Sequence, residues 1–125
     1  MTVIVTGAQE SAAALLRALV QTERNTTTAV AVTAGKVKRG AAQRISGRPH
    51  LPAYPSSITY TVSRGAAGPE AEIGPDKGRA QGPLGNLIEY GSIHNAPLPH
   101  LGPALDEHAD DLVRGIEIAV AQAFR

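Results

Sequence analysis

The chain has 125 residues, of which 42% are hydrophobic, and it contains no cysteine and no tryptophan. This length fits one compact domain, and the lack of cysteine excludes a disulfide framework, a thiolate nucleophile and a zinc site of the cysteine type. The net charge is only +1, but residues 1–64 hold eight Lys/Arg and two acids, whereas residues 65–125 hold four Lys/Arg and nine acids. The asymmetry indicates either opposed basic and acidic faces, which suit self-association, or ordinary solvated surface.

The first third of the chain predicts helix after a short extended segment. Met1–Thr6 is β-branched and alternating, which predicts a brief strand or arm. From Ala8 to Arg24 the apolar residues recur at spacings of three and four, as in an amphipathic helix. Three threonines at 26–28 interrupt good helix formers, and an Ala/Val pattern resumes over 29–45. We therefore expect one or two helices within residues 8–45.

The middle of the chain predicts a loop and then a small antiparallel sheet. Three prolines exclude regular structure from residues 46–56. Ser57–Ser63 alternates apolar and hydroxyl side chains with a period of two, which predicts a strand. Residues 70–74 are predicted to form an antiparallel return strand, and the Gly/Pro-rich residues 64–69 predict a long hairpin connection.

The remaining residues predict a completed sheet and a final helix. Residues 77–85 are rich in glycine and charge, which favours a surface loop that orders on assembly. Residues 86–92 fit a third strand or a helical turn that feeds a strand, so the sheet region extends over 57–92. A proline-rich loop follows at 93–102. A long helix is predicted over 103–124.

Pro103 stands where the first residue of that last helix is expected, and acids at Asp106 and Glu107 complement the dipole of the first turn. One face of the helix is apolar and is predicted to pack inward: Leu105, Ala109, Leu112, Ile116, Ala119, Val120 and Ala123. The whole chain, 1–125, is therefore predicted to be a single α+β domain with N-terminal helix or helices, a small antiparallel sheet, and a long C-terminal helix packed on the sheet.

The sequence offers little that indicates catalysis. His94, His100 and His108 are spaced six and eight residues apart, which matches no metal-ligand motif, although a metal site built on them remains a third hypothesis. Gly82–Gly85 lacks the Lys-Ser/Thr of a phosphate-binding loop. We therefore predict a protein that is not an enzyme and has no metal or other cofactor.

A basic stretch favours a second hypothesis, contact with nucleic acid. It holds five cations and no acid: Lys36, Lys38, Arg39, Arg44 and Arg48. Five phosphate contacts would give salt-sensitive binding without sequence preference. Few aromatic side chains lie near these cations, and no sequence-reading motif appears. The alternative function is therefore a small, non-specific DNA-associated protein.

A resemblance to a known family rests on two runs, Leu87-Ile-Glu-Tyr-Gly-Ser92 and Ala96-Pro-Leu-Pro-His-Leu-Gly-Pro-Ala-Leu105. They resemble the hydrophobic-Glu-aromatic-Gly-Thr/Ser strand end and the Pro-Ala-Leu helix entry of small tail-component proteins of long-tailed bacteriophages. Within these runs the candidate interaction residues are Glu89, Tyr90, Gly91, Pro97 and Leu101. In a strand, Glu89 would point away from its neighbours, toward solvent or another subunit.

The resemblance implies a structural virion protein of the head-to-tail junction, acting in the neck, in tail completion or as tail terminator. Such proteins form rings around the DNA channel, commonly six-fold or twelve-fold, and contact neighbouring neck or tail-tube proteins. The basic stretch would then face the lumen or one ring face, and the loops 64–85 and 92–102 would fold onto neighbours. Neither a signal peptide nor a membrane span is predicted, so the protein is expected to be made in the host cytoplasm and incorporated into the virion.

Overall fold

The structure, a computed structural model, describes residues 7–125 apart from the side chain of Ala8; the predicted strand or arm Met1–Thr6 lies outside these residues. The described elements, in chain order, are α1 (Ala8–Ile45), β1 (Ile58–Gly65), β2 (Gly68–Pro75), α2 (Gly85–Tyr90) and α3 (Leu101–Ala123). Short 3-10 turns precede β1 at Pro55–Ser57 and α2 at Gly82–Leu84. The predicted α+β fold class is confirmed. Within residues 7–125, no helix combines the length and hydrophobicity needed to cross a membrane.

The first helix, α1, is continuous through the threonine triplet. Its 38 residues correspond to a rod of about 57 Å at 1.5 Å per residue. The hydroxyls of Thr26, Thr27 and Thr28 donate to carbonyl oxygens one turn earlier, at 2.7, 2.7 and 3.1 Å. These bonds satisfy the hydroxyls inside the helix, so the three threonines do not have to end it.

The two strands form a tight antiparallel hairpin. Pairing runs from Ile58 with Pro75 to Gly65 with Gly68, which leaves only residues 66–67 as the connection. The predicted return strand is present within β2, but the prediction of a long connection over residues 64–69 was wrong. Gly68 has φ +123°, a backbone conformation that L side chains rarely adopt, so it allows the chain to reverse within so few residues.

For residues 86–92 the sequence predicted a third strand or a helical turn that feeds a strand. The structure has the helical segment, α2, and the predicted strand within 57–92 is wrong. In the part of the chain that the structure describes, the sheet has two strands. Gly85 begins α2 in close contact with Pro75, where a Cβ atom would lie 2.4 Å from the proline ring. A short apolar run such as Leu87–Tyr90 fits both helical and strand periods, and tertiary contacts of this kind decide between them.

The last helix, α3, begins two residues earlier than predicted, so Pro103 is its third residue rather than its first. It runs antiparallel to the C-terminal part of α1. Near its start Ala104 lies against Gly40, and near its end the Ala119 carbonyl accepts a hydrogen bond from Asn25 at 3.1 Å. Glycine lets the two backbones approach closely at Gly40.

The core lies at the C-terminal end of α1, where every element meets. It is formed by mostly aliphatic side chains from α1, the loop after it, β1, α2 and α3: Val37, Ala41, Ile45, Tyr54, Ile58, Ile88 and Ala104. α3 packs chiefly along α1, and α1 also contacts both strands. Because several of these side chains are alanine or valine, each contributes a modest buried area to stability.

Candidate functional site

The residues that carry the family resemblance form a joint between α2 and α3, and Glu89 is at its centre. The Glu89 carboxylate is buried and accepts hydrogen bonds from the backbone N–H groups of His100, at 2.9 Å, and Leu101, at 2.6 Å. The first N–H groups of a helix have no intrahelical partner and carry partial positive charge, so a carboxylate stabilises them. The prediction that Glu89 points to solvent or to a neighbouring subunit was therefore wrong, because its segment is helical.

His100 is fully buried in the same joint. Its Nδ1 lies 2.9 Å from the Leu98 carbonyl oxygen, and its Nε2 lies 2.7 Å from the Tyr54 hydroxyl. A carbonyl oxygen can only accept, so Nδ1 carries a proton, and Nε2 shares a hydrogen bond with the Tyr54 hydroxyl. Both ring nitrogens are thus hydrogen-bonded within the chain, which gives His100 a structural role.

Tyr54 was not predicted as a key residue, although it is fully buried between the core and His100. Its ring meets the His100 ring edge-on, with centroids 5.2 Å apart. Burial, and to a lesser extent the Glu89 carboxylate, raise the pKa of Tyr54 to about 12. No local pattern indicates this contact, because the two residues are 46 positions apart in the chain.

Gly91 ends α2 and reverses the chain. Its φ is +79°, and a Cβ atom there would lie 2.8 Å from the backbone nitrogen of Pro97. The Leu98 N–H then donates to the Ile88 carbonyl at 2.7 Å, which closes the loop against α2. Glycine is therefore required at this position for both its conformation and the space it leaves.

The structure separates the five candidate interaction residues of the joint into two groups. Glu89 faces inward, and Gly91 and Leu101 are half-buried. Tyr90 is 78% exposed and Pro97 is also exposed, so these two side chains can meet a partner. Three of the five residues that make this segment distinctive in sequence, Glu89, Gly91 and Leu101, therefore contribute to the fold of the chain itself.

The basic stretch lies on α1, and two of its five cations face acids of α3. Lys36 lies 3.7 Å from Asp111, and Arg44 lies 2.6 Å from Glu107. A hydrogen bond with His108 and the charge of Lys36 lower the pKa of Asp111. The remaining three cations, Lys38, Arg39 and Arg48, make no ion pair with any residue from 7 to 125. The predicted cluster is thus partly neutralised within the chain.

The three histidines of the metal hypothesis do not converge. His100 is buried against Tyr54, His108 lies 3.0 Å from Asp111, and His94 is exposed in the loop before α3. In the described part of the chain, no group of three His, Cys, Asp or Glu side chains is arranged to hold a metal ion.

Two apolar helical faces remain largely uncovered. On α1, Leu15, Leu16, Leu19 and Val20 are between 53% and 63% exposed, although periodicity predicts the apolar face of an amphipathic helix there. On α3, the apolar face predicted to pack inward is only partly buried: Ala119 is covered, Leu112, Ile116 and Ala123 are half-buried, and Leu105, Ala109 and Val120 are exposed. The side of α3 that meets α1 is instead the one that carries Ala104, His108 and Gly115.

Comparison of the chain with known protein families, curated proteins and solved structures gave no match. The geometry of the chain and the resemblance of residues 87–105 therefore carry the functional argument. That geometry offers a buried, hydrogen-bonded joint at Glu89 and His100, and exposed apolar surface on both long helices.

Proposed function

We propose that this protein is a non-enzymatic structural subunit of the head-to-tail junction of a long-tailed bacteriophage, where it assembles as a ring around the DNA channel. The observation that carries the proposal is the apolar surface left open on both long helices. Contiguous apolar patches of this kind on a folded chain mark sites of protein association. The resemblance of residues 87–105 to tail-component proteins supplies the biological setting.

The small core supports an assembling subunit. Among the residues that the structure describes, the buried cluster has only seven side chains, three of them alanine or valine, while leucine residues such as Leu16 and Leu105 lie at the surface. Burying apolar area is worth about 25 cal/mol per Å², so contact between subunits would add stability that the isolated chain lacks. Such a protein is expected to be most stable in its assembled form.

The joint supports a role in contacts along the axis of a virion. Glu89 and His100 join α2 to the start of α3 by hydrogen bonds, and this joint presents Tyr90 and the loop that contains Ile93, which is 98% exposed. Aromatic and large aliphatic side chains are typical of protein interfaces. We assign this surface to neighbouring neck or tail-tube proteins.

Non-specific DNA binding is less well supported as the main function. Lys36 and Arg44 already face acids, which leaves Lys38, Arg39 and Arg48 to contact phosphates. Fewer phosphate contacts mean weaker and less salt-sensitive binding. These three cations are still sufficient for the protein to contact packaged DNA that passes through a ring.

Deletion of the gene from a phage genome that encodes it tests the proposal. The gene is expected to lie beside genes for portal, capsid and tail-tube proteins. Electron microscopy of the mutant lysate should show DNA-filled heads and tails that are not joined, or tubes of abnormal length. A plasmid copy of the gene should restore joined particles. Normal infectious particles from the deletion mutant would overturn the proposal.

A further inference from the structure

The N-terminal part of α1 extends beyond α3. The antiparallel pairing aligns Asn25 with Ala119, so the end of α3 at Ala123 lies near residue 21 of α1. Residues 8–20 therefore project past α3 as a rod of about 20 Å. This projecting segment carries Leu15, Leu16, Leu19 and Val20, the first uncovered face.

That face continues the buried stripe of α1. The buried residues Val37 and Ala41 lie 22 positions after Leu15 and Leu19, respectively. Because 22 residues make close to six helical turns, each pair lies on the same side of α1. The same side of the helix is thus covered near the core and open at the projecting end. An apolar stripe that continues without a partner indicates a packing surface for another element.

The second uncovered face lies on α3. Leu105 and Ile116 are three turns apart, and Val120 follows one turn later, so these side chains share one side of the helix. Leu105 is 51% and Val120 is 38% exposed. This side differs from the one that carries Ala104, which faces α1.

Charges beside the two faces are complementary. Arg17 and Arg24 lie seven residues apart on α1, and Asp110 and Glu117 lie seven residues apart on α3, so both pairs span two helical turns, about 10.5 Å. Within residues 7–125, none of these four side chains makes an ion pair.

We propose that the projecting face of α1 in one copy packs antiparallel on the exposed face of the C-terminal half of α3 in a second copy, with Arg17 of the projecting segment beside Glu117, and Arg24, just after that segment, beside Asp110. Leucine and valine side chains supply most of the affinity, and the flanking charges fix orientation and register. The contact joins two different surfaces, as a head-to-tail ring requires. The inference deepens the proposed function and rests on it only for its biological setting.

Charge reversal in the purified full-length protein tests the contact. Sedimentation velocity of the protein with its natural sequence should give the mass of an oligomer, at least twice the 12.9 kDa of one chain. The double variants R17E/R24E and D110R/E117R should each raise the dissociation constant at least tenfold, and the quadruple variant R17E/R24E/D110R/E117R should restore association. A monomeric natural protein, unaffected double variants or a quadruple variant that stays dissociated would each overturn the proposal.

Apolar substitutions provide a second test with a matched control. The variant L16S/L19S should weaken association at least tenfold, while I93S, which removes an exposed side chain away from both faces, should leave the mass unchanged. Circular dichroism should show folded protein in both cases, since the substituted side chains are exposed. Equal effects of the two variants would contradict the contact. Because only purified protein is used, these results are independent of the gene-deletion outcome that tests the phage role.

Discussion

The carboxylate of Glu89 lies 2.9 Å from the backbone nitrogen of His100, the residue that immediately precedes α3. A second hydrogen bond, from the Leu101 N–H, places both carboxylate oxygens against the start of the helix. The acid at the end of one helix thus holds the beginning of the next. Glu89 thus orders the segment from residue 87 to 105 together with the hydrogen bond from the Leu98 N–H to the Ile88 carbonyl.

Replacement of Glu89 by alanine is expected to lower the free energy of unfolding by about 2–3 kcal/mol, because two backbone N–H groups would lose a charged acceptor. Glu89→Gln should lose less, since its amide oxygen can still accept one bond. Urea unfolding measures both. Glu72→Ala, at an exposed site on β2, serves as the control. A loss for Glu89→Ala no larger than the control's would contradict the capping role.

The Tyr54 hydroxyl should make stability fall at alkaline pH. Burial raises its pKa to about 12, whereas the unfolded chain ionises near the ordinary value of 10. Between pH 10 and 12 the folded state holds the Tyr54 hydroxyl proton more tightly than the unfolded chain does. The free energy of unfolding is therefore unaffected below pH 10 and declines as the pH rises toward 12. Unfolding curves from pH 8 to 11.5 measure this decline, and Tyr54→Phe should reduce it. An identical pH profile for the variant would rule out this assignment.

Alanine substitutions at two glycines of the joint are expected to have opposite effects on stability. Gly91→Ala should destabilise the chain by about 1–3 kcal/mol, because its φ of +79° and the Pro97 backbone both exclude a side chain. Gly102→Ala should be neutral or raise stability by up to about 1 kcal/mol, since it lies in α3 with open space around it. Thermal unfolding of both variants compares them. Similar shifts in Tm would refute the argument.

The ion pair between Arg44 and Glu107 is expected to contribute little to stability. Both side chains are partly exposed, at 34% and 53%, so water and salt screen their attraction. A double-mutant cycle with Arg44→Ala and Glu107→Ala should give a coupling below about 1 kcal/mol. The coupling should shrink further in 1 M salt, where the Debye length is about 3 Å. A large, salt-independent coupling would show that the pair is buried in solution by a neighbouring copy.

The sequence by itself determined the elements whose periodicity is long enough to be unambiguous. Alternation predicted the strand that became β1, and spacings of three and four predicted α1 and, to within two residues at each end, α3. These patterns are local, because side chains that share a face of one helix or strand repeat at a fixed interval. The α+β class follows from their order.

Only the tertiary structure decided the rest. The pattern of residues 86–92 predicted either a strand or a helical turn that feeds a strand, because a short apolar run fits two periods. In the structure Gly85 packs on Pro75 and the segment is helical. The hydrogen bond between Tyr54 and His100 joins residues 46 positions apart, which no periodicity encodes. Periodicity also shows which side of a helix is apolar without showing what covers it. The exposure of Leu16 and Leu105 therefore depended on where the neighbouring elements end.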